Sequence, residues 1–257
     1  MQKDKDLLEA EIHRRTRRSL ITGILASALG VGAWRWLWKQ EENNGTPWPL
    51  RQMLRFNEKL GRALFDRNRL TVQPETPPVG QPIRENGKLG LDSSSSTTEW
   101  RLEVLSEARS VVRRSFSMEM LKTLPRTETT TEFKCIEGWT EKMSYAGIRF
   151  SDFLSALYPD LYLNGVPGIL PPYVALETPD QGYYVSIDIE SMLHPQTILA
   201  YEMNGIPLSQ AHGAPLRLLI PVKYGIKSLK KVGQIYFSGT RPRDYWAERG
   251  YDWYAGL

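Results

Sequence analysis

The feature that most limits the possible folds is a single cysteine, Cys135, in a chain of 257 residues. One cysteine cannot form an internal disulfide, so the chain must be stabilised by a hydrophobic core. At this length, and with 41% hydrophobic residues, the core can belong to one large domain or two small ones. The thiol has two interpretations: a small buried apolar residue, which is the commoner one, or a soft metal ligand or nucleophile.

The positive charge of the chain does not lie on its folded body. The formal charge is +4, and residues 1–40 hold eight basic and four acidic side chains, which account for the whole excess. The remaining chain is balanced, whereas a protein that binds nucleic acid needs a basic face on its body. We therefore expect no nucleic-acid partner.

The first 40 residues have the pattern of an export signal. A basic block that ends in Arg17-Arg18 is followed by an apolar run rich in glycine and alanine, residues 19–34. This combination resembles a twin-arginine signal and predicts that the twin-arginine translocase exports the folded chain. An ordinary amphipathic helix is disfavoured, because the apolar run has no polar face.

The same segment has features of a membrane anchor. The apolar run of 16 residues is shorter than the roughly 20 residues that span a bilayer. Trp34, Trp36 and Trp38 stand beside Arg35, a pattern typical of side chains at a membrane interface. Two outcomes stay open: cleavage near residues 26–28, or retention as an anchor in the inner membrane. Both place the folded body in the periplasm or otherwise outside the cytoplasm.

Composition divides the chain into three segments: a signal or anchor at residues 1–40, a linker and helix at 41–80, and a folded body at 81–257. In the second segment, leucine and phenylalanine recur at helical spacing over residues 50–70, with arginine and lysine at other positions. This pattern predicts one helix between the linker and the body.

The body alternates between short strands and short helices. Its patterns predict strands at residues 100–105, 132–136 and 216–222, for example, and a short helix at 116–124. The second of these strands ends at the cysteine. Mixed short strands with few helices indicate an α+β fold.

Three sequence blocks in the body carry residues suited to binding an anion or a metal. The blocks are Cys135-Ile-Glu-Gly-Trp139, Tyr173-Val-Ala-Leu-Glu-Thr178, and the stretch from His212-Gly-Ala-Pro-Leu-Arg217 to Lys-Ser-Leu-Lys230. Arg217 offers a planar guanidinium and Lys230 a point charge, and both groups bind phosphate. Gly213 and Gly225 let backbone N–H groups approach an anion closely.

The lysines of the last block have a second interpretation. By spacing alone, Lys223, Lys227, Lys230 and Lys231 would form a solvated basic loop. Only the resemblance of the three ordered blocks to a known family favours a functional role instead.

In this order, the blocks resemble the oxidoreductase molybdopterin-binding domain family, which has the sulfite oxidase fold. The resemblance covers about residues 80–255. It implies a sulfite oxidase-type α+β fold of mixed short β-sheets with few helices, preceded by the N-terminal export or anchor helix. It also implies that residues 81–257 form a catalytic domain for a molybdopterin cofactor with one pterin, whose molybdenum is bound by a cysteine thiolate.

Carried onto this sequence, the resemblance makes Cys135 the metal ligand and a catalytic residue. Tyr145 is a second catalytic candidate, although an aromatic core residue is the commoner explanation. The residues that would hold the pterin and its phosphate are Thr178, His212, Arg217, Ser228, Leu229 and Lys230. Asn86 is a further candidate contact, because it lies where the family has an upstream pterin-binding segment.

The resemblance predicts a molybdenum-dependent oxidoreductase that transfers an oxygen atom, with two electrons, on a small S- or N-oxide substrate. The sequence has no nicotinamide or flavin fingerprint and no CxxCH haem motif. Electrons would therefore come from a membrane cytochrome or a periplasmic cytochrome c. We also expect a monomer, since the extra dimerisation domain of sulfite oxidases has no counterpart after the predicted domain.

Three alternatives stay open at this point. One lies within the same family, a sulfite oxidase-like dehydrogenase. The second is a cysteine hydrolase with Cys135 as nucleophile and His212 as base. The third is a non-catalytic, anchored binding module that has kept the fold without the metal. A zinc enzyme is disfavoured because the three histidines have no zinc-binding spacing.

Overall fold

The computed structural model describes residues 2–43, 45–71, 74–75, 77, 79–80, 83–91, 99–105, 112–157 and 170–257. The chain forms two compact units, Met1–Met53 and Leu54–Leu257. The three segments predicted from composition are not tested by this division and stay a prediction.

The helices are few, and most of them are short. Those in the described residues are α1 (Gln2–Leu37), α2 (Trp48–Leu64), α3 (Met118–Lys122), α4 (Phe150–Leu157) and α5 (Ile189–Met192). The segment Glu11–Leu37 of α1 is long and apolar enough to cross a membrane. Signal sequences share this length and composition. α3 begins where the Ser117 side chain accepts a hydrogen bond from the backbone N–H of Met120, which caps its first turn.

In the part of the chain that the structure describes, the strands form two five-stranded sheets and one small hairpin. The hairpin pairs β1 (Glu42–Asn43) with β2 (Thr46–Pro47). The remaining strands are β3 (Leu102–Leu105), β4 (Val112–Phe116), β5 (Arg126–Lys134), β6 (Thr140–Arg149), β7 (Tyr173–Glu177), β8 (Tyr184–Asp188), β9 (Ile198–Met203), β10 (Ile206–Pro207), β11 (Arg217–Leu219) and β12 (Gln234–Ser238).

The first large sheet has the order β10-β9-β6-β5, with β11 also paired to β9, and all its pairs are antiparallel. The second has the order β4-β3-β12-β7-β8, in which only the β12–β3 pair is parallel. One antiparallel sheet and one mixed sheet, together with short helices, confirm the α+β class predicted from the sequence.

The main core lies between the sheets and α4. One face of α4 is apolar and completely buried in this core, and it includes Phe150, Phe153 and Leu157. Phe116 contacts Phe153 edge to face, with ring centroids 5.4 Å apart. Each such side chain contributes on the order of 1.5–3 kcal/mol by leaving water, so the core can hold the body together without a disulfide.

Candidate active site

Cys135 lies at the tip of the longest hairpin, immediately after β5. Its backbone N–H donates to the carbonyl oxygen of Trp139 at 3.0 Å, and its own carbonyl accepts from the N–H of Gly138 at 3.0 Å. Gly138 has a φ of +88°, in the left-handed region that glycine adopts without strain. The turn thus holds the thiol in a fixed place, and Cys135 is only 7% exposed.

The thiol lines a cavity of about 190 Å³. This cavity brings together seven of the nine residues predicted as site residues, namely Asn86, Cys135, Tyr145, His212, Arg217, Ser228 and Lys230. These residues come from four separate stretches of the chain, and the tertiary structure places them around one space.

Arg217 is a buried cation in the wall of the cavity. Its two terminal nitrogens donate to the carbonyl oxygens of His212, at 3.2 Å, and Ser228, at 3.4 Å. Its guanidinium carbon lies 5.2 Å from the ring centroid of Tyr145. The Nε of Arg217 is buried and has no hydrogen-bond partner among the described residues. An unsatisfied buried donor on a fixed cation favours an anionic ligand beside it.

Lys230 joins three loops around the same cavity. Its Nζ donates to the carbonyl oxygens of Asn86 at 2.6 Å, Ala211 at 2.8 Å and Gly87 at 3.1 Å. Burial, together with the charge of Arg217, lowers the pKa of Lys230 from 10.5 to about 8. The ammonium group is therefore costly to keep charged unless an anion stands next to it.

This lowered pKa predicts a pH-dependent affinity for anions. In the cofactor-free protein, we expect phosphate affinity to fall as pH rises through about 8, by at most about tenfold per pH unit, because Lys230 loses its proton. The free energy of unfolding of the cofactor-free protein should increase as pH rises from about 8 to 10.5. In this range Lys230 has lost its proton in the folded chain but keeps it in the unfolded chain. Calorimetric titration with inorganic phosphate at several pH values measures the affinity.

The matched control for this prediction is the exposed Lys88 in the neighbouring loop. Lys230→Met should remove the fall in phosphate affinity between about pH 8 and 9, whereas Lys88→Met should keep it. An unchanged pH profile in Lys230→Met would show that another group binds the phosphate.

A hydrogen-bonded cluster surrounds the cysteine sulfur. The Nδ2 of Asn86 donates to Cys135 Sγ at 3.7 Å and to Glu137 Oε2 at 3.3 Å. Trp139 Nε1 donates to the same carboxylate oxygen at 3.0 Å, and the guanidinium of Arg84 lies 4.9 Å from the Trp139 ring centroid. The amide of Asn86 therefore joins the sulfur to the Glu137 carboxylate in one hydrogen-bonded cluster.

His212 and Tyr145 are both neutral groups in this setting. Burial and the charges of Arg217 and Lys230 lower the pKa of His212. Burial raises the pKa of Tyr145, whose hydroxyl donates to Met143 Sδ at 3.0 Å. No described hydrogen bond joins His212 to Cys135, although a cysteine hydrolase needs that pair in contact.

Two predicted residues lie outside the cavity lining. Thr178 is fully buried, and its hydroxyl donates to Asp180 at 2.5 Å while accepting from the N–H of Tyr183 at 3.1 Å. Leu229 is a fully buried core residue whose carbonyl accepts from the N–H of Leu218 at 2.8 Å. Their positions suit support of the cavity loops, and a direct contact with the cofactor stays a prediction for both.

The interpretation of the four lysines as a solvated loop is wrong. Lys223, Lys227 and Lys231 are all buried, and Lys230 lies at the cavity. Lys223 pairs with Asp188 at 3.1 Å, and Lys227 pairs with Asp244 at 2.5 Å. Spacing along the chain could not reveal this burial, because the acidic partners come from distant segments.

Aromatic side chains complete the lining, and motif analysis did not assign them to the site. They are Phe133, Trp139, Tyr183, Trp246 and Tyr251. Phe133 and Trp139 flank the cysteine in sequence and stack with ring centroids 6.1 Å apart, so their closeness to Cys135 was a usable signal. The others carry no local signal, since only the fold brings residues near 183 and 250 to the cysteine.

The donor set of this cavity fits an anionic, sulfur-bound cofactor. The charged side chains that line it are three cations, Arg84, Arg217 and Lys230, and one acid, Glu137. Among the described residues, no group of three His, Cys, Asp or Glu side chains could hold a metal ion. A metal at Cys135 would therefore depend on further ligands that a cofactor brings with it.

Comparison with known proteins decides the family. Residues 90–246 match the sequence model of the oxidoreductase molybdopterin binding domain. The chain belongs to this family. As a member, it is an oxidoreductase that uses a molybdopterin cofactor, which sets aside the hydrolase and the non-catalytic module.

Several curated proteins are similar to the chain. A putative protein-methionine-sulfoxide reductase subunit YedZ1 of Azospira oryzae is 31% identical over 207 residues, covering 79% of this chain and 74% of the relative. The protein-methionine-sulfoxide reductase catalytic subunits MsrP of Xanthomonas campestris and Campylobacter jejuni are 30% and 27% identical, covering 57% and 66% of this chain. The chain spans only 47% and 60% of the lengths of these two relatives.

Among solved structures, the sulfane dehydrogenase SoxCD from Paracoccus pantotrophus aligns with a TM-score of 0.48 and 21% sequence identity. The alignment covers 58% of this chain and 40% of the SoxCD chain.

Proposed function

We propose that this oxidoreductase reduces an S-oxide of the methionine sulfoxide type to the thioether. The reaction consumes two electrons and two protons and releases the oxygen atom as water. The observation that carries the proposal is the Cys135 thiol in a cavity with an excess of cations. The relatives are named as methionine-sulfoxide reductase subunits, which supports the choice of substrate class.

The cofactor would be held by the residues that surround the cavity. Cys135 would bind the metal through its sulfur, and Arg217 with Lys230 would bind the pterin phosphate. Asn86, His212 and Ser228 would contact the pterin. When bound, molybdopterin supplies a metal that accepts and donates electrons in pairs. Asn86 would also orient the sulfur through the 3.7 Å hydrogen bond to Cys135.

The substrate would enter beside the aromatic side of the cavity. Phe133, Trp139 and Trp246 offer apolar surface for the carbon chain of a thioether. Arg84, which stacks on Trp139, is placed to donate a hydrogen bond to a sulfoxide oxygen. The raised pKa of the buried Tyr145 keeps its hydroxyl protonated, and this hydroxyl donates to Met143 Sδ.

Electrons would come from a separate membrane or periplasmic cytochrome. The chain has no haem, flavin or nicotinamide motif, and the relatives are named as subunits. We further propose export by the twin-arginine translocase, followed by anchoring through α1 with the body on the outer side of the membrane. The Arg17-Arg18 pair and the apolar segment Glu11–Leu37 support this location.

The first experiment is elemental analysis for molybdenum, with pterin measured alongside, on protein purified from a host that makes the cofactor. We expect about one molybdenum and one pterin per chain. Reduction of methionine sulfoxide with a chemical electron donor then tests the substrate class. Turnover of sulfite oxidation without sulfoxide reduction would overturn the proposed reaction and favour the dehydrogenase alternative.

A further inference from the structure

The helix α2 exposes apolar side chains where a surface helix normally exposes polar ones. Phe56, Leu60 and Leu64 are 59%, 49% and 72% exposed. They are spaced four residues apart, so they lie on one side of the helix, which we call the apolar face of α2. A helix that packs on a core turns such a stripe inward, and this one does not.

Specific contacts hold α2 in this orientation. Glu58, on the opposite side, is buried and accepts hydrogen bonds on both carboxylate oxygens from Arg241. Gly61 lies so close to Tyr254 that an added Cβ would stand 2.9 Å from the ring. Rotation of the apolar face toward the body would break this ion pair and separate the close-packed Gly61 and Tyr254.

The exposed part of α2 carries only positive charge. Its acidic residue, the buried Glu58, also pairs with Arg62 at 3.2 Å, whereas Arg55 and Lys59 are exposed. Arg55 and Lys59 directly precede Phe56 and Leu60 in sequence, so they flank the apolar face. An apolar face with cations beside it complements a bilayer surface, where acyl chains lie beneath anionic headgroups.

The short linker between α1 and α2 also favours a bilayer as the surface that covers the apolar face of α2. Ten residues, 38–47, separate α2 from α1, whose segment Glu11–Leu37 could cross a membrane. Ten residues reach at most about 35 Å. The exposed Trp34, Trp36 and Trp38 mark the end of α1 from which this linker leaves, and they suit the interface between headgroups and water.

From these observations, we propose that the apolar face of α2 lies in the headgroup region of the membrane that α1 enters. The inference rests on the proposed insertion of α1 and adds a second, peripheral contact. That contact would fix the height and orientation of the body above the bilayer. Without it, the body would be held only by the linker at residues 38–47.

The test places an environment-sensitive NBD dye on the full-length chain in vesicles of phosphatidylcholine and phosphatidylglycerol. Leu60→Cys carries the dye, in a Cys135→Ser background that leaves one thiol. The matched control is Met120→Cys on α3, since Met120 is also an exposed apolar side chain, at 52%. Alkaline extraction of the vesicles reports separately whether α1 is inserted.

We expect the dye at position 60 to shift its emission to the blue and to be quenched by lipids with a spin label near the headgroup, while the dye at position 120 stays in water. A water-exposed dye at position 60 in a chain that resists extraction would overturn the inference and leave the proposed function intact. Extraction of the chain at alkaline pH would overturn the anchoring itself. Equal quenching at positions 60 and 120 would also overturn the inference about α2, because it would show that the whole body adheres to the vesicles.

Two other occupants give distinct results, and each would overturn the inference. If a second copy covers the face, unlabelled Leu60→Cys chains should form disulfide-linked dimers in vesicles. If a protein partner covers it, the dye should shift only in membranes from the native host and stay in water in pure lipid vesicles.

Discussion

Cys135→Ser should lower molybdenum-dependent turnover by more than about 100-fold. Loss of an outer hydrogen-bond partner alone typically costs 10- to 100-fold in metal sites, and this substitution removes the proposed ligand itself. A serine hydroxyl is a hard, neutral donor that does not replace a soft thiolate. The measurement is the rate of sulfoxide reduction with a chemical electron donor, together with the molybdenum content of each preparation.

The fold should survive this substitution. The turn is held by backbone hydrogen bonds between Cys135, Gly138 and Trp139, which serine can also make. Met120→Ser is the matched control, because it removes a sulfur atom from the exposed part of α3, outside the cavity lining. Full turnover in Cys135→Ser would contradict the ligand assignment, whereas a loss of thermal stability would point to a structural role.

Lys227→Met should lower the free energy of unfolding by about 3–5 kcal/mol, as removal of one member of a buried ion pair does. Lys227 and Asp244 are each 2% exposed at the side chain, with Nζ 2.5 Å from the carboxylate. After the substitution, the Asp244 carboxylate would lose this cation and would still accept from the N–H groups of Ser186, at 3.0 Å, and Ala247, at 3.1 Å. Denaturant unfolding followed by circular dichroism measures the loss.

An exposed pair provides the control for this measurement. Arg243 and Glu248 approach to 2.6 Å, but the arginine side chain is 68% exposed. Arg243→Met should therefore cost no more than about 1 kcal/mol. The double variant Lys227→Met with Asp244→Asn should recover part of the stability, because no unpaired buried charge remains and the amide oxygen still accepts a backbone hydrogen bond. Equal losses in Lys227→Met and Arg243→Met would refute the argument.

The buried pair also matters for the cavity. Gly225 and Ile226 line the cavity and directly precede Lys227 in one short 3₁₀ helix, Gly225–Lys227. The hydroxyl of Tyr183, another lining residue, donates to the Ile226 carbonyl at 2.5 Å. The ion pair therefore anchors one wall of the site from the side that faces the core.

Local patterns predicted much of the secondary structure. The helix expected over residues 50–70 is α2, Trp48–Leu64, and the strand expected to end at the cysteine is β5, which stops at Lys134. Both rest on interactions between near neighbours, namely periodic apolar side chains and backbone pairing across a short turn. The order of the three blocks, at residues 135–139, 173–178 and 212–230, was also visible in the chain, and their resemblance to a known family was confirmed.

Contacts between distant segments decided the rest. Asn86 meets Cys135 across 49 positions, and Lys230 meets Asn86 across 144. Thr178 belongs to one of the three sequence blocks but lies outside the cavity lining. Gly90 has no side chain, and this leaves room for the methyl group of Thr178.

By itself, the sequence determined the chemistry: one thiol, a group of cations, an α+β pattern and an apolar N-terminal segment. Only the tertiary structure decided which cations face the cavity and which are buried in ion pairs, as Lys230 and Lys227 show. It also decided that α2 presents its apolar face outward. The physical reason is that the environment of a side chain is set by what packs against it, and the partners of Lys227 and Glu58 lie 17 and 183 positions away.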